Sequence, residues 1–161
     1  MCRKLKGFTL VELIVVIAII GVLAAVLVPS MMGYVKSSRL KTANSNAKIV
    51  YNAVSAICSE HETQGNVISG DAKINCSTGA GADDNDIISV CGNAVKNALS
   101  DNGSGAGEAY INIDNNSVKL VHWRKTHEDS VVGQYPNPSD DIDALPNFGD
   151  ADGNGGGARE E

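Results

Sequence analysis

Leu13 to Val35 is a run of 23 residues without a formal charge, and whatever else the chain does, it must place that run somewhere apolar. At about 1.5 Å per residue a helix of that length spans roughly 34 Å, against a hydrocarbon core of about 30 Å. The run is long enough to cross a bilayer. A cleaved secretory signal has an apolar stretch of about 7–15 residues, shorter than this one. Ala24-Ala25 would offer such a signal a small-residue cleavage point, so that reading stands as the alternative. Ahead of the run lies the only dense basic cluster, Arg3, Lys4 and Lys6, which reads as a targeting or topology signal. Glu12 sits at the start of the run among Phe8, Leu10, Val11, Leu13 and Ile14. A carboxylate in that setting calls for a cation nearby.

The remainder divides by composition. The chain carries 13 Lys+Arg against 19 Asp+Glu, for a net charge of −6. With a pI near 5.0 it lacks the basic surface that neutralising phosphates requires, so no nucleic-acid partner is expected. His127 to Glu161 holds nine acids against the single base Arg159. An apolar anchor, a mixed middle and an acidic end exclude one ordinary globular domain. An enzyme is not expected either: His61, His122 and His127 are accompanied by no nucleophile elbow, phosphate loop or zinc-helix motif. His122 reads as a strand residue and His61 as lying at a fraying helix end.

Met-Cys-Arg-Lys-Leu-Lys-Gly-Phe-Thr-Leu-Val-Glu, residues 1–12, places a short basic leader, a glycine and a phenylalanine directly ahead of the acid. Lys6-Gly7-Phe8-Thr9-Leu10-Val11-Glu12-Leu13, followed by an apolar helix through Gly21, Leu23, Ala24 and Pro29, resembles the type IV pilins and their relatives, the pseudopilins of type II secretion and of competence. The resemblance covers roughly residues 1 to 50. It implies that a prepilin peptidase cleaves after Gly7 and methylates the new amine of Phe8, on a protein held in the bacterial cytoplasmic membrane with its head outside. It also implies that Glu12 meets the amine of a neighbouring subunit, and that Pro29 marks where the helix bends or melts in filaments. The partners implied are identical or homologous subunits, the peptidase, the assembly platform and the membrane, and the product is an extracellular or periplasmic filament. The function expected is that of a structural subunit of a type IV pilus or related pseudopilus. The alternative is a membrane-anchored surface protein whose head binds a ligand such as a polysaccharide through Trp123, Tyr110 or Tyr135.

Beyond Pro29 apolar residues recur at Leu40, Ala43, Ala47, Val50, Val54 and Ile57, an amphipathic stripe with Lys36, Arg39, Lys41 and Lys48 lying off it. The helix is therefore expected to continue to about Glu62, roughly 80 Å in all. Gly21, Ala24, Ala25 and Gly33 would let neighbouring helices approach closely. Gln64-Gly65-Asn66 reads as a turn and Gly79 to Asp86 as a loop. A second helix starts at Asp86, with Ile87, Val90, Cys91, Ala94, Val95, Ala98 and Leu99 at helical spacing and Gly92 as its weak point. Residues 110–113 and 118–123 alternate around Asp114-Asn115-Asn116-Ser117, a hairpin pattern. Ser130 to Tyr135 can add a strand. The expected fold is α+β and pilin-like. It comprises a leader (1–7), a transmembrane and assembly half-helix (8–35), a globular head (36–136) and an irregular or mobile acidic Gly/Pro-rich tail (137–161).

Within that tail, Asp150, Asp152, Asn154 and Glu161 fit the spacing of a calcium loop, with the Gly156 carbonyl as a further oxygen. No helix is expected before the pattern, and Gly157 stands where such loops carry an apolar residue. Calcium is thus the one possible cofactor. Cys2 would leave with the leader, so Cys58, Cys76 and Cys91 remain, enough for one disulfide and one free thiol. Cys58–Cys76 is the preferred pair, with Cys76–Cys91 and Cys58–Cys91 open. No CxxC pair occurs, so zinc is not expected.

Overall fold

A computed structural model describes residues 8–81, 86–100 and 106–150. The chain divides into two compact units, residues 1–35 and 36–161. Helix α1, Leu10–Thr63, runs 54 residues without interruption through Pro29 and belongs to both units.

In the first unit the large apolar side chains from Phe8 to Val35 are exposed. An apolar helix face that nothing among the described residues covers needs lipid or other helices to cover it. In the second unit the same helix becomes one-sided: Leu40, Ala43, Asn46, Ala47, Val50, Val54 and Cys58 are buried. The stripe follows the expected spacing until its last turn, where Cys58 takes the buried place and Ile57 is half-buried. The helix then ends in a glycine cap. Gly65 has φ +78, the Gly65 N–H donates to the Glu62 carbonyl at 3.0 Å and the Asn66 N–H to the His61 carbonyl at 3.0 Å, the paired bonds that close a helix on a left-handed residue.

Four strands form one antiparallel sheet in the order β1 (Gly70–Asn75), β2 (Glu108–Asp114), β3 (Ser117–Arg124) and β4 (Gly133–Tyr135). The expected hairpin is β2–β3, and its turn places Asn115 and Asn116 at φ 51 and 59, the left-handed pair that a two-residue hairpin loop requires. The third expected strand is present but short. Strand β1 was not expected, because Gly-Asp-Ala-Lys-Ile-Asn offers only Ala72 and Ile74 to the core. Between Ile113 and Asn112 the register slips by one residue, so that Val118 and Val121 both reach the core despite odd spacing.

One face of the sheet carries Ala72, Ile74, Ala109, Ile111, Ile113, Val121 and Trp123 into a core shared with the α1 stripe and with Ile87, Cys91 and Val95 of helix α2 (Asp86–Ala98). Helix α2 packs against β1. Its weak point has a use: a side chain at Gly92 would collide with the Gly79 carbonyl, so the missing Cβ is what lets the loop lie on the helix. Strand β4 sits equally close to α1, with Gly133 against the backbone of Ala43 and Asn44. Asn44 fastens this contact, its Oδ1 accepting from the Gln134 N–H at 2.9 Å and its Nδ2 donating to the Ser139 carbonyl at 2.9 Å.

From residue 136 to 150 the chain is irregular, as its Pro and Gly content predicts, but it is not loose. Ile142 and Leu145 pack against the core. The ring of Phe148 lies 6.5 Å from that of Tyr110 and 3.9 Å from the Arg124 guanidinium.

Candidate functional site

The candidate site is the start of α1. Thr9 sits just ahead of the first helical residue and Glu12 is three positions on, the arrangement in which each end-residue satisfies the other's backbone. The Thr9 N–H and the Thr9 hydroxyl both donate to Glu12 Oε2 at 2.8 Å. In return the Glu12 N–H donates to Thr9 Oγ1 at 3.3 Å. The carboxylate is thereby held at the positive end of the helix dipole. The Thr-x-x-Glu spacing that announces this box is legible in the sequence, and reading Glu12 only as an acid in need of a cation overlooks it. Within one chain, Thr9 supplies part of what the missing cation would.

Phe8 precedes the box and is 78% exposed. Gly7 lies outside the described residues. Pro29 falls inside α1 with helix on both sides, and Ser30 Oγ next to it donates to the Leu27 carbonyl at 2.8 Å. At Gly21 and Gly33 an added side chain would meet nothing within 4 Å. Among the described residues their smallness serves no packing.

The three thiols are buried and free, and the structure contains no Cys58–Cys76 bond. Burial pushes the Cys58 thiol up. Cys76 is pushed up to about 12 by burial and then by the charge of Glu108. Cys91 is pushed up to about 12 by burial and then by Cys58. Cys58 thus contributes to the shift of Cys91 in α2.

Of the calcium-loop positions only Asp150 is described, and Asp152, Asn154, Gly156 and Glu161 lie outside the described residues. Among the described residues no group of three His, Cys, Asp or Glu is placed to hold a metal ion. The aromatic residues named for ligand contact do not form a surface platform. Tyr110 and Trp123 are 2% and 4% exposed, and Trp123 Nε1 donates to the Ala106 carbonyl at 2.8 Å. Tyr135 is half-buried, its ring edge-on to Tyr51 at 4.8 Å. One face of the sheet is packed in the core with α1, and on the other the C-terminal segment lies against Tyr110 and His122, so the rings along β2 and β3 are enclosed. His122, read as a strand residue, is indeed in β3, and it is fully buried.

A family model for the prokaryotic N-terminal methylation motif matches residues 2–28, which takes in Gly7, Phe8, Thr9 and Glu12. The type IV major pilin protein PilA of Myxococcus xanthus is 40% identical over 57 residues, 35% of this chain and 26% of that protein. The fimbrial protein EcpC of Eikenella corrodens is 47% identical over 55 residues, 34% of this chain and 36% of that protein. The type IV major pilin protein PilE of Neisseria gonorrhoeae is 31% identical over 129 residues, 78% of this chain and 71% of that protein. The match spans about a third or less of the first two relatives' length, and it reaches into the head in the third. No solved structure matches.

Proposed function

The chain belongs to the type IV pilin family, and from that premise we propose that it is a structural subunit of a type IV pilus or related pseudopilus, made as a prepilin. The observation that carries this reading is the first unit of the structure: an exposed apolar half-helix, opened by the Thr9–Glu12 box directly after Phe8. Such a surface suits two successive environments, lipid before assembly and the helices of neighbouring subunits after it. Gly21 and Gly33, idle among the described residues, leave room for those neighbours. Helices in a filament core have few polar contacts to set their register, and Glu12 is the acid in this segment that can do so.

Cleavage after Gly7 would free the amine of Phe8 one residue ahead of Thr9. The peptidase would be the source of the cation, and methylation would leave the amine able to carry its charge. Glu12 would then exchange part of its internal cap for the amine of an adjacent subunit, a pairing available only when subunits stack in register. Pro29 lacks the N–H that would hold the helix one turn back, which makes its surroundings the place where α1 can yield as subunits pack. The second unit, with its sheet and acidic C-terminal segment, would face outside, and the assembly platform would draw subunits from the membrane into the filament.

Intact-mass analysis of the membrane and filament fractions tests the processing step. The expected mature chain begins at N-methylated Phe8; an uncut chain, or one beginning near Ala25, refutes it. Glu12→Gln, expressed at the normal level, is expected to insert in the membrane as before and to yield few or no filaments. A normal filament yield from that variant would refute the pairing.

A further inference from the structure

The outer face of the sheet, away from α1, carries a lateral row in which one residue from each strand stands beside the next. Lys73 of β1 pairs with Tyr110 of β2, Tyr110 with His122 of β3, and His122 with Gln134 of β4. His122 is fully buried at the middle of this row.

Its hydrogen bonds fix its tautomer. The Gln134 side-chain Nε2 donates to the carbonyls of Pro136 and Asn137 at 3.4 and 3.3 Å, which turns the Gln134 Oε1 acceptor toward His122 Nε2 at 3.2 Å. His122 Nε2 must therefore carry the proton. Nδ1 is then bare, and it accepts the Gly149 N–H at 3.3 Å. Gly149 belongs to a turn closed by the Asp150 N–H on the Asn147 carbonyl at 3.2 Å, with φ +91 at Gly149. This is the position of a turn where glycine is at ease. The same turn presents Phe148 to Tyr110 and Arg124.

We propose that His122 is a pH-operated catch: neutral, it holds the Asn147–Asp150 turn on the outer face of the sheet through Nδ1, and on taking a proton at Nδ1 it releases that turn. A proton delivered there from solvent leaves two N–H donors pointing at each other. The Gly149 N–H loses its acceptor, and the imidazolium loses its reason to stay enclosed. Neither ring nitrogen can escape the conflict by a tautomer change, because Gln134 offers Nε2 an acceptor only.

The charged and titratable groups around the catch set its threshold. From the turn, Asp150 favours the imidazolium. From β1, the Lys73 side chain runs beside Gly149. From β3, Arg124 stands under Phe148, its charge met by Glu108 of β2 at 2.9 Å, and its Nη2 donates to His127 Nδ1 at 2.8 Å. From β2 Tyr110 contributes a ring, 5.9 Å from the imidazole, and from β4 Gln134 contributes a neutral amide. The balance lies with the neutral form: burial lowers the His122 pKa from its ordinary value, against smaller opposing effects of Gln134 and Asp150. A group whose pKa is lowered by docking stabilises the docked state above the released-state pKa and loses that stabilisation as pH falls. One proton linked in this way shifts the docked-to-released ratio about tenfold per pH unit below roughly 6.5, down to the docked-state pKa.

The test is nuclear magnetic resonance of the full, isotopically labelled chain in detergent micelles with a calcium chelator present, titrated from about pH 8 to about pH 4. Three signals are followed: the His122 ring shifts, the contacts between the Phe148 and Tyr110 rings, and the Gly149 amide. On acidification the ring contacts and the Gly149 protection are expected to disappear with the His122 midpoint, while the Ile111 and Val121 amides stay protected. In His122→Asn, whose Oδ1 stands near the place of Nδ1 and takes no proton, the turn is expected to stay docked over the whole range. Asp150→Asn, which removes a charge favouring the imidazolium, is expected to lower both midpoints together. Release that persists at the same pH in His122→Asn overturns the proposal. So does any divergence between the His122 midpoint and the release midpoint, in the native chain or in Asp150→Asn, or a turn that remains docked at about pH 4 in the native chain.

Discussion

Asn116 ties the β2–β3 hairpin to the chain leaving α1, and replacing it separates two contributions that usually travel together. Its Oδ1 accepts the Ile68 N–H at 2.7 Å and its Nδ2 donates to the Asn66 carbonyl at 2.7 Å. Its backbone N–H adds a bond to the Ile68 carbonyl at 2.9 Å, and its φ is 59. Asn116→Ala removes both side-chain bonds, at about 0.5–1.5 kcal/mol each. It also puts a Cβ without a compensating amide in the left-handed region, at about 1 kcal/mol. The expected loss is about 2–4 kcal/mol. Asn116→Gly loses the same bonds but not the backbone penalty, and should recover about 1 kcal/mol of the loss. Asn116→Asp keeps the acceptor for Ile68 and should fall between the native chain and the glycine variant. The assay is urea unfolding of the full chain in mild detergent, followed by the fluorescence of Trp123. That residue is the one tryptophan in the sequence and is buried in the head core, so the apolar half-helix does not contribute to the signal. With a slope of about 1–3 kcal/mol per M, Asn116→Ala should lower the midpoint by about 1–2 M. An alanine variant within about 0.5 kcal/mol of the native chain, or a glycine variant no better than alanine, would refute this account of the turn.

Gly133→Ala drives a methyl group into the α1 backbone at Ala43 and Asn44, so it should cost about 1–3 kcal/mol in the same unfolding assay; an unchanged midpoint would show that β4 can retreat freely. The thiols of the reduced, processed chain should resist maleimide at about pH 8, because burial keeps them protonated, and all three should label once unfolded. Peptide mapping of the oxidised, unreduced chain should find one bridge among Cys58, Cys76 and Cys91 and one free thiol, and a Cys58–Cys76 pair would restore the preference read from the sequence. The calcium loop proposed at Asp150, Asp152, Asn154, Gly156 and Glu161 should bind at about 10⁻⁴–10⁻³ M. It should also raise the thermal midpoint of the Trp123 signal in millimolar calcium; a midpoint unmoved by calcium or chelator, and unchanged in Asp152→Ala, would leave the tail as solvated acid.

The sequence by itself determined the elements whose signal is local. An uncharged run of 23 residues is long enough for a membrane whatever follows it. The stripe from Leu40 to Val54 repeats at helical spacing because one helix face must be buried. Asn115-Asn116 marks a hairpin because few other residues accept two successive left-handed conformations. The Thr9–Glu12 box was equally local, and a reader attentive to helix starts finds it there.

Tertiary structure decided what depends on residues far apart in the chain. Strand β1 exists because β2 offers it an edge and α2 covers it, since its own six residues bury only Ala72 and Ile74. Gly92 looks like a defect in α2 until Gly79, thirteen positions earlier, is laid against it. The aromatic residues of β2 and β3 suggest a binding surface in the sequence, but burial is a property of the assembled layers: Trp123 lies in the core shared with α1, and the segment after Pro136 packs on Tyr110. His122 shows the same limit most plainly. Its place in a strand follows from alternation, whereas its tautomer and its hold on Gly149 follow from a glutamine 12 residues away and a turn 27 residues away. A hydrogen bond over that separation leaves no periodic trace in the sequence, because either partner alone is an ordinary polar residue.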